Sequence, residues 1–265
     1  MTVATRELYH LIGVGGIGMS AIAHILLERG EQVSGSDAHA NARTDALQSK
    51  GAIIYEGHAA EHLPEGATVI VSTAIREDNP ELAAAKARGC HILHRSDMLR
   101  ELMRGKRVLA VTGTHGKTST TALLSHVLKE AGMDPSYCVG GEVESLGAHG
   151  HIGSGDYFVL EADESDGSFL KCEPFGAIIT NIDDDHEDFF GSFTEQERQF
   201  AEFARSVQCR DALFVCGSCE RTGDWLGDHV SYGVRGEGEI ELLLYRVVGW
   251  RSEFIVSWNG RIYKD

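Results

Sequence analysis

Residues 113–118 read Gly-Thr-His-Gly-Lys-Thr, and these residue types at this spacing can bind the phosphates of a nucleotide. The segment lacks the first glycine of the full G-x-x-x-x-G-K-[ST] pattern, because Val111 stands at that position. The remaining glycines still expose backbone amides, Lys117 can reach the β- and γ-phosphates, and the Thr118 hydroxyl can bind Mg²⁺. A predicted strand before the loop and a predicted helix after it favour this interpretation over a loop without a ligand.

Two acidic segments follow later apolar strands. Glu161–Asp166 comes directly after one strand, at the edge where open α/β sheets bind ligands and where one or two carboxylates commonly hold Mg²⁺. Thr180–His186 follows another strand, and His186 is a candidate metal ligand or phosphate contact. Residue types alone leave the second segment undecided, because the chain has 13 histidines and a run of aspartates is often merely solvated.

A second glycine-rich loop, Gly13–Gly18, lies near the N-terminus. It follows a predicted strand and opens a predicted helix, the context that a dinucleotide-binding fingerprint requires. Its amides can approach a diphosphate at the helix N-terminus, and Asp37 closes the next strand, where such folds hold a ribose. The loop predicts a nucleotide diphosphate ligand, with NAD the usual one, and a glycine turn without a ligand is the alternative.

The alternation of short apolar runs with helical patterns predicts the elements that position these residues. Strand Leu8–Ile12, a helix that ends at Gly30 and strand Gln32–Ser36 begin a βαβ series. The series restarts at about residue 106 with strand Arg107–Thr112. We therefore expect an α/β protein, with a Rossmann-like parallel-sheet domain followed by a P-loop-type α/β domain.

The last third of the chain has a different pattern. Thr194 with Glu197 predicts a capping box that opens a helix to about residue 207. Ile240–Val248 and Phe254–Ile262 resemble β-strands, and Asn259-Gly260 is a dipeptide typical of hairpin turns. The second domain is thus expected to end in a β-hairpin.

Length and composition limit the classes of protein. With 265 residues two domains are expected, 1–105 and 106–265, with a helix at Ser96–Arg104 between them. The net charge is 24 − 40 = −16, which argues against a nucleic-acid partner or an anionic membrane surface. No apolar run approaches the ~18 residues of a membrane span, and the N-terminus lacks a signal-peptide core, so a cytoplasmic location is expected. Cys216 and Cys219 have no second ligand pair at zinc-finger spacing, so we expect no zinc site.

Taken together, the ordered motifs resemble those of the Mur ligases, in particular the alanine-adding branch. The resemblance covers about residues 8 to 190 and rests on several motifs in the same order. They are His10–Ala21, Ser34–Asp37, Ser72–Ile75, Asp78–Glu81, Gly113–Thr121, Glu161–Phe169 and Thr180–His186.

The resemblance reassigns the first glycine loop from NAD to the UDP moiety of UDP-N-acetylmuramate, and it implies that the second loop binds ATP. The implied UDP-sugar residues are Gly13, Gly15, Gly16, Ile17, Gly18, Asp37, Ser72 and Asn79. The implied ATP residues are Gly113, Thr114, His115, Gly116, Lys117, Thr118 and Ser119.

The implied reaction is ATP-dependent amide formation in peptidoglycan precursor synthesis. ATP phosphorylates the muramate carboxylate, and the amine of L-alanine displaces phosphate from the acyl phosphate. The implied catalytic residues are Lys117, Glu161 and His186. Thr118 and Glu161 would hold one Mg²⁺, and His186 would hold a second metal ion.

Two departures from the family pattern affect these expectations. Several Mur ligases use a carbamylated lysine shortly after the histidine motif, yet Glu187–Val207 contains no lysine, and the alanine-adding branch can share this feature. The family also continues into a third domain that closes over ATP. We expect the central domain to be incomplete and this third domain to be absent, so that the 265-residue chain alone is a weak or inactive ligase.

Three alternatives remain open. An NAD-dependent oxidoreductase explains Gly13–Gly18 and Asp37 but leaves both later motifs without a role. A non-catalytic module that binds a UDP-sugar and ATP is compatible with all motifs. A sister ligase that recycles a murein tripeptide shares the Gly113–Thr118 pattern, although its first loop differs from Gly13–Ala21.

Overall fold

A computed structural model describes residues 6–163, 172–183, 192–217 and 227–264. The N-terminal part contains a sheet of five parallel strands. They are β1 (Leu8–Ile12), β2 (Gln32–Asp37), β3 (Ile53–Glu56), β4 (Thr68–Val71) and β5 (Ile92–His94). The strands lie in the order β3-β2-β1-β4-β5. The direction in which successive strands are added changes between β1 and β4, and open α/β sheets usually bind ligands at such a point. This sheet confirms the Rossmann-like first domain.

Four helices alternate with these strands, as the apolar spacing predicts. Asn41 caps the second helix and forms a capping box with Thr44, and Asn79 caps the third, whose first residue is Pro80. The helices are α1 (Ile17–Glu28), α2 (Ala42–Ser49), α3 (Pro80–Ala87) and α4 (Arg95–Met103).

A larger, mixed sheet follows. Its strands are β6 (Arg107–Thr112), β7 (Ser136–Cys138), β8 (Gly150–His151), β9 (Tyr157–Glu161), β10 (Gly176–Ile179), β11 (Leu213–Cys216), β12 (Val230–Val234), β13 (Ile240–Val248), β14 (Arg251–Trp258) and β15 (Arg261–Lys264). They lie in the order β15-β14-β13-β12-β11-β10-β6-β9-β7-β8. The run from β6 through β10, β11 and β12 to β13 is parallel, and β13, β14 and β15 form antiparallel hairpins.

Two predictions in this part need correction. The expected strand Phe254–Ile262 is broken by a turn at Asn259 and Gly260, whose φ angles of 51° and 72° suit a tight hairpin turn between β14 and β15. The predicted capping box at Thr194 is wrong. Helix α6 (Phe193–Ser206) begins before Thr194, and the side chain of Ser192 accepts a hydrogen bond from the Glu195 amide. Helix α5 (Lys117–Glu130) begins within the predicted phosphate loop, Gly113–Thr118.

The chain divides into two compact units. Unit 1 comprises residues 1–106 and 122–159, and unit 2 comprises residues 107–121 and 160–265. Strand β9 passes from one unit into the other. The first unit ends one residue after the expected domain boundary at 105/106, but it also contains residues 122–159. The boundary at 105/106 therefore stays a prediction.

Apolar side chains pack inside each unit. In unit 1 the buried residues Ile12, Val69 and Leu82 belong to one hydrophobic cluster that packs β1 and β4 against α3. In unit 2 Phe200 and Phe203 of α6 are fully buried. None of the described helices is long and apolar enough to cross a lipid bilayer.

Candidate functional site

The phosphate loop in unit 2 connects β6 to the start of α5. Gly113 has φ = 124°, and a Cβ atom there would lie 2.2 Å from Thr180 Oγ1 and 2.7 Å from the Asn181 carbonyl oxygen. Both the backbone angle and the lack of space therefore require glycine at this position. Gly116 also has a positive φ, but open space surrounds the position of its missing Cβ.

Asn181 holds the phosphate loop in place. Its carbonyl oxygen accepts the Thr114 amide at 3.0 Å, and its Oδ1 accepts the His115 amide at 2.8 Å. Its Nδ2 donates to the His115 carbonyl at 2.9 Å, and the Thr180 hydroxyl donates to the same carbonyl at 2.6 Å. The sequence identified the segment Thr180–His186 but not the role of Asn181. Attention went to the acidic and histidine side chains as ligands, whereas the asparagine amide hydrogen-bonds to the loop.

Lys117 lies over the loop that precedes it. Its Nζ donates to the carbonyl oxygens of Gly113 at 2.7 Å and Thr114 at 3.3 Å. The amides of the first turn of α5 have no acceptor within the helix and point toward the same loop. An ammonium group and a helix N-terminus thus converge at one point, an arrangement that attracts phosphate oxygens.

Thr118 and Glu161 meet beside this loop. The Thr118 hydroxyl donates to Glu161 Oε1 at 2.8 Å, and Glu161 is the last residue of β9. Both residues are partly exposed. Mg²⁺ prefers hard oxygen ligands and usually takes one or two carboxylates together with water and phosphate, so this pair fits a Mg²⁺ ion next to a nucleotide. Ser119, on the following position, is exposed.

The other predicted metal ligand is His186. His186 lies outside the described residues, as do Glu164–Asp166 of the acidic segment and Cys219. Within the described ranges, no group of three or more His, Cys, Asp or Glu side chains could hold a metal ion.

The glycine loop in unit 1 is tied to the end of β2. The amides of Gly13 and Val14 both donate to the Ser36 carbonyl, at 2.8 and 2.9 Å. The Gly15 amide donates to Asp37 Oδ2 at 2.8 Å. Asp37 therefore shapes the loop directly, in addition to lying where a ribose was expected.

Gly15 has close neighbours from the start of α2. A Cβ atom at Gly15 would lie 2.5 Å from Asn41 Nδ2 and 2.9 Å from Asp37 Oδ2. Arg43 Nε donates to the Gly15 carbonyl at 2.7 Å, which places a cation next to the predicted diphosphate position. Sequence reasoning missed Arg43, although a basic residue just after the second strand of such a fold is a usable signal.

The remaining predicted UDP-sugar residues lie around the same loop. A Cβ atom at Gly18 would lie 2.4 Å from Arg95 Nη1, and Gly16 donates its amide to the Gly13 carbonyl. Ile75 Cδ1 would lie 3.1 Å from a Cβ at Gly13, so this one residue of the segment from Ser72 to Asn79 lies against the loop. Asn79 itself uses its side-chain oxygen to cap α3.

Unit 1 contains a cavity of about 600 Å³, and Arg43 is one of the residues that line it. Burial, together with the charge of Lys50, lowers the pKa of His24 to about 4, and burial and Arg43 lower the pKa of His149. Both histidines are therefore neutral at pH 7. The cavity is lined by His24, Ala42, Arg43, Ala46, Lys50, Glu142, Val143, Glu144, Gly147, Ala148 and His149.

Two family models match the chain. The model described as "Mur ligase family, catalytic domain" matches residues 8–107, and the model described as "Mur ligase middle domain" matches residues 111–240. The first model ends just before the phosphate loop, and the second contains it.

Individual relatives agree with these models. The chain is 48% identical over 208 residues to a UDP-N-acetylmuramate–L-alanine ligase from Methylobacillus flagellatus, which covers 78% of this chain and 44% of the relative. The crystal structure of the UDP-N-acetylmuramate–alanine ligase MurC from Thermotoga maritima matches with a TM-score of 0.86 at 33% identity, over 97% of this chain and 59% of that chain. The chain thus spans about half the length of these relatives.

A third protein has a similar fold, but its name gives a different substrate. The UDP-N-acetylmuramate:L-alanyl-γ-D-glutamyl-meso-diaminopimelate ligase from Neisseria meningitides matches with a TM-score of 0.85 at 26% identity, over 97% of this chain and 86% of that chain.

Proposed function

The chain belongs to the Mur ligase family, and from this premise we propose that it carries the UDP-sugar and ATP sites of a ligase that joins L-alanine to UDP-N-acetylmuramate. The observation that carries the proposal is the contact of Thr118 with Glu161 beside Lys117, because it brings together two oxygen donors that suit Mg²⁺. The similarity to alanine-adding ligases supports the choice of substrates.

We propose that unit 2 binds ATP with Mg²⁺. The residues from Gly113 to Ser119 surround the phosphates, and Lys117 moves from the loop carbonyls to the β- and γ-phosphate oxygens. Thr118 and Glu161 hold Mg²⁺, which supplies positive charge against the phosphates when it is bound. Since phosphoryl transfer depends mainly on positioning and charge neutralisation, these residues suffice to orient the γ-phosphate. His186 is proposed as a further catalytic and metal residue on the family resemblance alone.

We propose that unit 1 binds the UDP part of the sugar nucleotide. The N-terminus of α1 and the glycine loop provide amides for the diphosphate, and Arg43 provides a charged donor beside Gly15. Asp37 and the segment from Ser72 to Asn79 are proposed to contact the nucleotide sugar. The proposed residues are Gly13, Gly15, Gly16, Ile17, Gly18, Asp37, Ser72 and Asn79.

The proposed chemistry has two steps. A carboxylate oxygen of the muramate attacks the γ-phosphorus of ATP, so that ADP leaves and an acyl phosphate forms. The L-alanine amine then attacks the acyl carbon, phosphate leaves with the bonding pair, and the amine loses a proton. Because both ATP and nucleotide sugars are cytoplasmic metabolites, the cytoplasm is the proposed location.

A thermal-shift experiment tests the proposed class of ligand. UDP-N-acetylmuramate is expected to raise the melting temperature of the chain, while NADH at the same concentration is expected to leave it unchanged, because ligands that bind the native state stabilise it by mass action. Stabilisation by NADH alone would favour the oxidoreductase alternative and reject the proposed sugar-nucleotide site.

A further inference from the structure

A fully buried carboxylate lies beneath the glycine loop of unit 1. Glu81, in the first turn of α3, is 0% exposed and accepts the Ser36 hydroxyl at 2.5 Å. His58 Nδ1 lies 2.8 Å and His10 Nε2 lies 3.2 Å from its two oxygens. The ring of His62 is a more distant neighbour, with Nδ1 3.7 Å from Oε1. One acid thus connects β1, β2, α3 and the segment after β3.

The hydrogen bonds to the carboxylate determine which ring nitrogens of His10 and His58 carry a proton. An ionised carboxylate only accepts hydrogen bonds, so His58 Nδ1 and His10 Nε2 must each carry a proton. Burial raises the pKa of Glu81, but hydrogen bonds from His10, Ser36 and His58 lower it more, and the net pKa lies below its ordinary value. Glu81 is therefore ionised at neutral pH.

Ser36 links this carboxylate to the glycine loop. Its hydroxyl donates to Glu81, while its backbone carbonyl accepts the amides of both Gly13 and Val14. The neighbouring Asp37 accepts the Gly15 amide. The position of Ser36 therefore sets the position of three successive loop residues.

We propose that Glu81 is a positioning residue of the nucleotide-sugar site, which holds Ser36 and His58 and thereby fixes the glycine loop in the shape that receives a diphosphate. That the ligand is a sugar nucleotide rests on the proposed function, whereas the effect of Glu81 on the shape of the glycine loop does not. His58 and the more distant His62 are partly exposed, with 22% and 23% of their side chains accessible.

The substitution Glu81→Gln tests the effect on the loop. Glutamine has the same shape, but one of the two carboxylate oxygens is replaced by an NH₂ group. It therefore cannot accept hydrogen bonds from both histidines and Ser36. By NMR, amide exchange at Gly13 and Val14 should accelerate at least about tenfold, since a hydrogen bond to a charged group is commonly worth that much. The ¹⁵N shifts of His10 or His58 should also show that one ring has moved its proton to the other nitrogen.

Two further variants keep the test decisive. Glu65→Gln changes an exposed acid outside the proposed binding segments and should leave both readouts unchanged. Ser36→Ala removes the hydroxyl but keeps the backbone carbonyl, and should accelerate exchange at Gly13 and Val14 even where Glu81→Gln fails to fold. Unchanged loop exchange in Ser36→Ala, or in a folded Glu81→Gln protein, would overturn the proposal.

The pH dependence provides an independent readout. Because the pKa of folded Glu81 is below its unfolded value of 4.5, the stability that its charge contributes is present above about pH 4.5 and is lost as pH falls through the folded pKa. The melting-temperature difference between the wild type and Glu81→Gln should therefore shrink as the pH is lowered from 7 to below 4.5. A difference that stays constant with pH would contradict the ionised carboxylate.

Calorimetry with UDP-N-acetylmuramate at pH 7 completes the test. Glu81→Gln should bind at least about tenfold more weakly than wild type, and Glu65→Gln should bind equally well. Absence of binding by the wild type would reject the proposed function, while the exchange measurement would still decide the role of Glu81. Equal affinity of a folded Glu81→Gln protein would reject the positioning role.

Discussion

The hydroxyl of Thr118 donates to Glu161 Oε1 at 2.8 Å, which joins the first turn of α5 to the end of β9. The two residues are 43 positions apart in the chain. A bound Mg²⁺ would take both oxygens as ligands, and the hydroxyl proton would then turn away from the carboxylate. In the proposed site, this contact would hold the two oxygens close together before a nucleotide arrives.

Removal of the Thr118 hydroxyl should reduce the effect of Mg²⁺ on nucleotide binding. Thr118→Val keeps the shape of the side chain but loses the oxygen, so the gain in ATP affinity on adding Mg²⁺ should fall by about tenfold or more. Titration of ATP with and without Mg²⁺ measures this gain. Thr120→Val, on the same helix, serves as the control, and an equal Mg²⁺ effect in both variants would exclude Thr118 as a ligand.

Lys117 should contribute charge rather than loop stability. The side chain is partly exposed and its Nζ donates to the loop carbonyls of Gly113 and Thr114, so Lys117→Ala should unfold at a denaturant concentration only slightly below that of wild type. ATP affinity should nevertheless fall by about tenfold or more, because an ammonium group no longer faces the phosphates. Lys129→Ala, at the exposed end of α5, is the matched control. Wild-type ATP affinity in Lys117→Ala would remove the residue from the site.

Gly113 should tolerate no side chain, for two separable reasons. Gly132 also has a positive φ, of 74°, but nothing lies within 4 Å of its missing Cβ, so Gly132→Ala should cost only about 1 kcal/mol of backbone strain. Gly113→Ala adds the overlap with Thr180 and Asn181, and should cost at least about 2 kcal/mol more. Urea unfolding of the two variants measures the difference. Equal costs would mean that the loop shifts freely away from Asn181.

The free energy of unfolding should decrease in mild acid because of His24. Its folded pKa, lowered by burial to about 4, lies below its unfolded value of 6.5. Stability is therefore fully present above about pH 6.5 and is lost as the pH falls toward 4, by on the order of 2–3 kcal/mol. Denaturation of His24→Gln should show a shallower pH slope in this window. His39→Gln, at an exposed position, should keep the wild-type slope, and identical slopes in all three proteins would refute the assignment.

Local patterns made part of this structure predictable. The strand at Leu8–Ile12, the glycine loop and the helix after it follow from apolar periodicity and glycine spacing over a few neighbouring residues. The two-residue strand Gly150–His151 and the three-residue strand Ser136–Cys138 were missed, because they are too short to have a period and depend on each other for pairing.

The site was predictable to a similar extent. Lys117, Thr118 and Glu161 were identified from their motifs and do lie together. The position of Arg43 after the second strand was a usable signal, but its contact with Gly15 spans 28 residues and does not follow from a local pattern. The Asn181 contact with His115 spans 66 residues, so no local pattern reveals it. The buried environment of Glu81 depends on three other elements, and a glutamate at the start of a helix is otherwise common at exposed positions.

Calorimetry on two variants tests the central claim, that this chain carries a UDP-sugar site in unit 1 and an ATP site in unit 2. Gly15→Val places a side chain where Asn41 and Asp37 lie and where a phosphate must approach, so it should lose UDP-N-acetylmuramate binding and retain ATP–Mg²⁺ binding. Lys117→Ala should show the opposite pattern. Unchanged UDP-N-acetylmuramate affinity in Gly15→Val, together with unchanged ATP affinity in Lys117→Ala, would contradict the account.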